Sequence, residues 1–143
     1  VNILALCICT REAANLMMEK GIDDGQIINM SSIGGHRMEG KTPGLHFYTS
    51  TKFMVRGLTE GLRRELKTLK SNIKIGSVSP GIVETEFLSR FLKNDLSRKA
   101  SSLFNKFHAL QARDIVDSVL HILSAPLHVE VHDIIVRPYD QKV

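Results

Sequence analysis

The chain has 143 residues, 43% of them apolar and 24% charged, which places it among folded globular sequences and allows one ordinary domain at most. No stretch approaches the roughly 18 uninterrupted apolar residues of a membrane span. The net charge of +4 is modest, and aromatic residues do not alternate with the cations as a single-strand nucleic-acid platform requires.

The chain opens in mid-pattern, on Val1-Asn2-Ile3-Leu4-Ala5-Leu6 with no Met and no cap. The expectation is therefore the C-terminal part of a longer protein. From Val1 to about Lys20, Ile3, Leu6, Ala13, Leu16 and Met17 recur at helical spacing, and Gly21 is placed to stop that helix. Cys7 and Cys9 stand two apart on it, so they point to nearly opposite sides and cannot jointly grip a metal. They read as buried free thiols in a reducing compartment, hence a cytoplasmic protein.

Asp23-Asp24-Gly25 is a turn, and residues 26–31 read as a short strand buried on both faces. Residues 34–45, with Gly34, Gly35, Gly40, Pro43 and Gly44, read as an irregular, flexible loop. The longest helix is expected over 46–69, with Val55, Leu58, Leu62, Leu66 and Leu69 as its apolar stripe. Gly57 and Gly61 each cost about 1 kcal/mol in a helix interior. Four apart on one side, they imply that another helix packs closely there.

Residues 72–78 form the second expected strand, halted by Pro80-Gly81. Residues 84–111 look helical in pieces and carry Phe87, Leu88, Phe91, Leu92, Leu103, Phe104 and Phe107, an apolar lid over about 86–112. Arg90, Lys93, Arg98, Lys99 and Lys106 face only Asp95 in this stretch. A solvated helical face is the leading reading of that charge, ahead of a contact for a phosphate, an acidic substrate or a cofactor edge. Asp114 is placed to cap a helix running to Ser124, and residues 133–137 form the third strand, closed by Pro138. Strands separated by helices imply βαβ units and a parallel sheet.

The chemistry lies in Tyr48-Thr49-Ser50-Thr51-Lys52. A phenol and an ammonium four residues apart share one helix face, where the cation favours the ionised phenol. A free tyrosine, with a pKa of about 10, is a poor base at neutral pH. Ser32, at the end of the first strand, supplies a hydroxyl to the same place. Together the three side chains have the parts for proton transfer to or from a carbonyl oxygen.

With these residues placed, the chain resembles the short-chain dehydrogenase/reductase family along nearly its whole length. Ser32 after Ile-Ile-Asn-Met-Ser, the Tyr48-x-x-x-Lys52 pair and Pro80-Gly81-Ile82-Val83-Glu84-Thr85 carry the resemblance in order. Asn2, in Val-Asn-Ile-Leu, looks like the family's helix asparagine. The runs His46-Phe47-Tyr48, Leu58-Thr59-Glu60-Gly61-Leu62-Arg63 and Asp133-Ile134-Ile135-Val136-Arg137-Pro138 resemble a branch associated with NADP(H)-dependent reduction of ketosteroids and other carbonyls.

The resemblance implies an α/β fold: the C-terminal half of a Rossmann-type doubly wound parallel sheet with helices on both faces. The N-terminal cofactor half would be missing, and residues 1–143 would form one partial domain. It further implies Tyr48 as acid/base, Ser32 as a donor to the substrate oxygen, and Lys52 on the nicotinamide ribose. Asn2 would hold a water that relays protons to Lys52. Pro80 and Gly81, the backbone of Ile82 and Val83, and the Thr85 hydroxyl would meet the nicotinamide carboxamide. NADP(H) is implied ahead of NAD(H), with a small-molecule carbonyl or alcohol as substrate and a homodimer or homotetramer when full length.

Some features depart from the family pattern. The glycine-rich turn that seats a pyrophosphate is absent. The loop from Ser32 to Tyr48 is slightly long. His132 stands where Gly is frequent, and Arg137-Pro138-Tyr139 replaces a frequent Asp-Gly-Gly. A second reading is a non-catalytic dimerisation module built on helices 1–20 and 46–70. A sugar-nucleotide epimerase shares Tyr-x-x-x-Lys, but Pro-Gly-Ile-Val-Glu-Thr points to the dehydrogenase branch.

Overall fold

The helical spacing at the start of the chain is realised as α1 (Leu4–Glu19) in a computed structural model that describes residues 2–38, 45–91 and 108–141. Gly21 ends it with φ of 66°, while the Ile22 and Gly21 amides donate to the carbonyls of Met17 and Met18 at 2.9 and 3.1 Å. Those two bonds satisfy carbonyls that the last helical turn leaves open, and only glycine adopts that φ without strain.

β1 (Gln26–Met30), β2 (Lys74–Pro80) and β3 (Asp133–Val136) form one parallel sheet in the order β1-β2-β3. Gln26 to Met30 pair with Lys74 to Val78, and Ser77 to Pro80 pair with Asp133 to Val136. Three differences from the sequence reading have local causes. β2 starts at Lys74 rather than Asn72, because the Asn72 backbone and side-chain amides donate to Asp23 and hold that residue in the turn. It also runs on through Pro80. Val78 accepts from Ser31 on the β1 side, so the N–H that Pro80 lacks would face that side too, where β1 has already ended at Met30. Finally, β1 is not buried on both faces. Only Asn29 is buried, and Met30 is 46% exposed, since β2 is the one neighbour of β1 among the described strands.

Two layers of helix cover the sheet. Leu66 of α2 (Leu45–Thr68) packs with Ile73 and Ile75, and Met17, Ile27 and Leu62 close around them. Gln26, next to Ile27, donates its side-chain amide to the carbonyl of Ile122 in α4 (Ala112–Leu123) at 3.3 Å. Side chains alternate along a strand, so α4 lies on the face opposite α1 and α2. The N-cap of α4 is Gln111, not Asp114. Asp114 sits at the third helical position and accepts from the Gln111 amide at 2.8 Å, which completes a reciprocal capping box.

The segment expected to be an irregular loop begins as a 3-10 turn, Ile33–Gly35, with all three residues buried. Residues 39–44 of that loop lie outside the described residues. Of the proposed lid, α3 (Glu86–Phe91) is described; residues 92–107, with Lys93, Arg98, Lys99, Lys106, Leu92, Leu103, Phe104 and Phe107, lie outside. Cys7 is half-buried and Cys9 exposed, both free, so the expected pair of buried thiols is not found. Among the described residues no helix is long and apolar enough to cross a membrane.

Candidate active site

β1 and α2 are locked together just below the site. Asn29, buried in β1, donates to the Thr59 hydroxyl at 2.8 Å, and Thr59 donates to the Val55 carbonyl one turn back. Higher up, the serine-bearing turn lies directly on the helix backbone. A side chain at Gly35 would come within 2.8 Å of the Lys52 carbonyl oxygen and 2.9 Å of the Ser31 hydroxyl. Arg56 Nη1 donates to the Gly35 carbonyl at 3.0 Å. Close backbone approach, which only glycine permits, therefore sets how far Ser32 stands from the face carrying Tyr48 and Lys52.

Ser32, Tyr48 and Lys52 come together as the sequence order anticipates. Ser32 caps the 3-10 turn by accepting from the Gly34 amide at 3.1 Å, and its hydroxyl also lies 3.5 Å from the Pro80 carbonyl oxygen. A hydroxyl has one proton to give, so it serves either that carbonyl or the phenol. Burial pushes the Tyr48 phenol above its ordinary pKa, while a hydrogen bond from Ser32 pulls it down. The spacing alone implied the opposite direction, with Lys52 favouring phenolate. In the structure the Lys52 ammonium is 5.8 Å from the ring centroid and donates to the Met30 carbonyl at 3.0 Å. Burial lowers its own pKa. Desolvation is thus the larger influence on the phenol, ahead of the Ser32 hydrogen bond.

Asn2 reaches α2 beside this trio, and the contact it makes is with Thr51, whose hydroxyl accepts from Asn2 Nδ2 at 3.2 Å. Thr85 is exposed in the bend just before α3. Phe87, the first apolar residue of α3, tilts against Tyr48 with ring centroids 5.8 Å apart.

The Pro80–Glu84 segment is held from three sides. Gly81 donates to the Val136 carbonyl at 2.7 Å, at the end of β3. Ile82 donates its amide to Gln141 Oε1 at 3.1 Å. Leu110 donates to the Ile82 carbonyl at 3.0 Å and accepts from the Glu84 amide at 2.8 Å, a parallel bridge centred on Val83. Backbone groups of successive extended residues face opposite ways. The Val83 N–H and C=O therefore point away from Leu110, and among the described residues neither is hydrogen-bonded. An adjacent donor and acceptor on one short stretch of backbone match a planar carboxamide, so the residues present fit that end of a nicotinamide.

Sequence reasoning missed a second polar cluster behind Ser32. His36 Nε2 is 2.9 Å from Asp133 Oδ2 and 3.0 Å from the Ser79 hydroxyl. Asp133 Oδ1 accepts from Ser77 and Ser79 at 2.8 and 2.9 Å, and Arg56 Nε is 3.9 Å from its other oxygen. Burial, with help from Arg56 and Arg37, holds the His36 pKa below its usual value against the opposing pull of Asp133. Nothing in the spacing of residues 36, 79 and 133 announces this contact. His132, the departure noted before the third strand, is accommodated simply: its carbonyl accepts from Ser77 at 3.0 Å and its side chain is exposed.

The sequence pattern of the family described as "short chain dehydrogenase" matches residues 1–95. "Dehydrogenase/reductase SDR family member 11" of Gallus gallus is 45% identical over 141 residues, covering 99% of this chain and 54% of that protein. The chain thus spans about half the length of the curated relatives it matches. Among solved structures, serine dehydrogenase complexed with NADP+ superimposes with a TM-score of 0.88 at 28% identity, over 99% of this chain and 54% of that one. 4-Hydroxyisoleucine dehydrogenase complexed with NADH gives 0.72 at 25% identity, over 96% and 55%.

Proposed function

The chain belongs to the short-chain dehydrogenase/reductase family, and from that premise we propose that the full-length protein is an NAD(P)(H)-dependent oxidoreductase that reduces a ketone or other carbonyl, with Tyr48 as acid/base. The observation that carries this reading is the meeting of the Ser32 and Tyr48 hydroxyls at a half-buried spot beside Lys52. The nicotinamide, when bound, supplies or accepts the hydride.

The Tyr48 phenol, whose ordinary pKa of about 10 is raised further by burial, is protonated at neutral pH and so begins with the proton that a carbonyl oxygen must gain on reduction. Ser32 donates a hydrogen bond to the same oxygen and stabilises the charge developing there. Lys52 is the residue for the ribose hydroxyls, a role that takes its ammonium off the Met30 carbonyl. Asn2, through its place beside Thr51, is the residue for a water that relays protons toward Lys52. Pro80, Gly81, Ile82, Val83 and Thr85 hold the carboxamide end. Ile82 has both backbone groups engaged, so Val83 offers the free pair.

NADP(H) is preferred to NAD(H) in this reading; solved relatives carry NADP+ or NADH. Phe87 against the Tyr48 ring supports a bulky apolar substrate such as a steroid or retinoid. The chain corresponds to the C-terminal, catalytic half of the fold, with its lid at about 86–112, and alone it does not turn over substrate. We place the full-length protein in the cytoplasm as a homodimer or homotetramer paired through α1 and α2. The apolar groove of about 420 Å³ between those helices, lined by Leu6, Ala14, Leu58, Leu62 and Leu69, supports that pairing. It is equally the observation behind the alternative of a non-catalytic dimerisation module.

The test is NADPH oxidation by the full-length protein against a panel of steroids and small carbonyls. Tyr48→Phe keeps the ring and deletes the proton donor, and is expected to lower kcat about 100-fold or more while NADPH still binds. A Tyr48→Phe variant as fast as wild type ends the proposal.

A further inference from the structure

The Ile82 amide finds its hydrogen-bond partner 59 positions away in sequence, where no spacing argument would look. Ile82 donates its amide to the side-chain oxygen of Gln141, which is 7% exposed. Its neighbour Asp140 grips the turn that leads into Leu110: Asp140 Oδ2 accepts from the His108 amide at 3.2 Å and pairs with His108 Nδ1 at 3.0 Å. Consecutive tail residues therefore hold both sides of the Val83–Leu110 bridge. The tail is itself braced, because Gln141 donates its own amide to the carbonyl of the buried Pro138 at 3.2 Å. Packing is tight enough that any side chain at Gly81 would collide with Gln141 Oε1 and approach the Arg137 backbone at 3.1 Å. The tail thus leaves little room for a side chain at Gly81.

We infer that Gln141 is a positioning residue: by accepting from Ile82 it fixes the rotation of the Gly81–Glu84 segment, so that the Val83 N–H and C=O face away from Leu110 toward the carboxamide of a nicotinamide. Leu110 alone does not fix this. It engages the Ile82 carbonyl and the Glu84 amide, and Val136 holds the Gly81 amide, which leaves the Ile82 amide between those anchors with no backbone partner among the described residues. Gln141 takes up that amide and so holds the Gly81–Ile82 peptide between the anchors in one orientation. The role rests on the oxidoreductase reading, whereas the hydrogen bond beneath it does not.

Two measurements on the full-length protein decide it. Gln141→Met keeps length and bulk without the acceptor, and Gln141→Glu restores an acceptor. In the Met variant the Ile82 amide should exchange with solvent about tenfold faster, and the NADPH Kd and KM should rise about tenfold, as expected for one lost hydrogen bond. Its kcat should stay within about twofold, because no group that moves a proton is altered. The Glu variant should recover both exchange and affinity. Unchanged Ile82 exchange in the Met variant overturns the inference, and so does faster exchange with unchanged NADPH affinity. A wild-type protein that takes up neither NADPH nor NADH overturns the oxidoreductase reading and this role together, while a negative Gln141 result with whichever of the two binds overturns this role alone.

Discussion

Gly35 and Gly61 both touch the surroundings of α2, and they stand for opposite kinds of fit. At Gly35 the serine-bearing turn lies so near the helix that a methyl group would strike the Lys52 carbonyl oxygen. At Gly57 and Gly61 a methyl group would meet nothing within 4 Å. The first region is fastened by backbone contact and by the Arg56 and His36 bonds; the second is an open apolar groove against α1. Packing of another helix, expected from the Gly57–Gly61 spacing, is therefore not supplied by any described residue of this chain. The same residue type marks a closed joint in one place and an unfilled surface in the other.

Substitutions at the Gly35 joint and in the Gly61 groove test the contrast most directly. Gly35→Ala should destabilise the full-length protein by about 2–3 kcal/mol, the scale of overpacking against backbone that cannot retreat. A urea midpoint within error of wild type would mean the joint is loose. Acidification should come next in size. The pKa of His36 is depressed in the folded state, so the unfolded chain binds the extra proton more readily and stability rises with pH. Stability from neutral His36 should be complete above its unfolded pKa of about 6.5 and be lost as pH falls through the lower folded value. His36→Gln should flatten that part of the urea-midpoint profile, and an equally steep profile in the variant would assign the loss to other groups. Smallest is Gly61→Ala, expected to stabilise by up to about 1 kcal/mol through helix propensity alone. If subunits pair through the groove, that gain should shrink as protein concentration rises, which thermal melts over a dilution series would show.

Local features were legible in the sequence because local rules govern them. The α2 helix, the parallel strands and the convergence of Ser32, Tyr48 and Lys52 follow from hydrophobic period, strand–helix order and i,i+4 spacing. What was not legible depends on distant groups. The upward displacement of the Tyr48 phenol comes from burial by the assembled fold, which spacing does not encode. The His36–Asp133 and Ile82–Gln141 contacts join residues 97 and 59 positions apart. Gly34 and Gly35 read as irregular loop because glycine breaks helix propensity, yet they are buried in the turn Ile33–Gly35, where the backbone must come close to α2. An acidic residue suits both the N-cap and the third position inside, so Asp114 alone does not reveal that Gln111 is the cap.

Burying the Tyr48 hydroxyl also makes the two directions of the proposed reaction unequal. Carbonyl reduction starts from the neutral phenol, the form that desolvation favours, and its rate should vary little across neutral pH. Alcohol oxidation needs the anion first, so each unit of acidity below the phenol's own pKa leaves about tenfold fewer molecules ready to begin. A single sheltered oxygen would thus set how alkaline the medium must become before alcohol oxidation reaches its full rate.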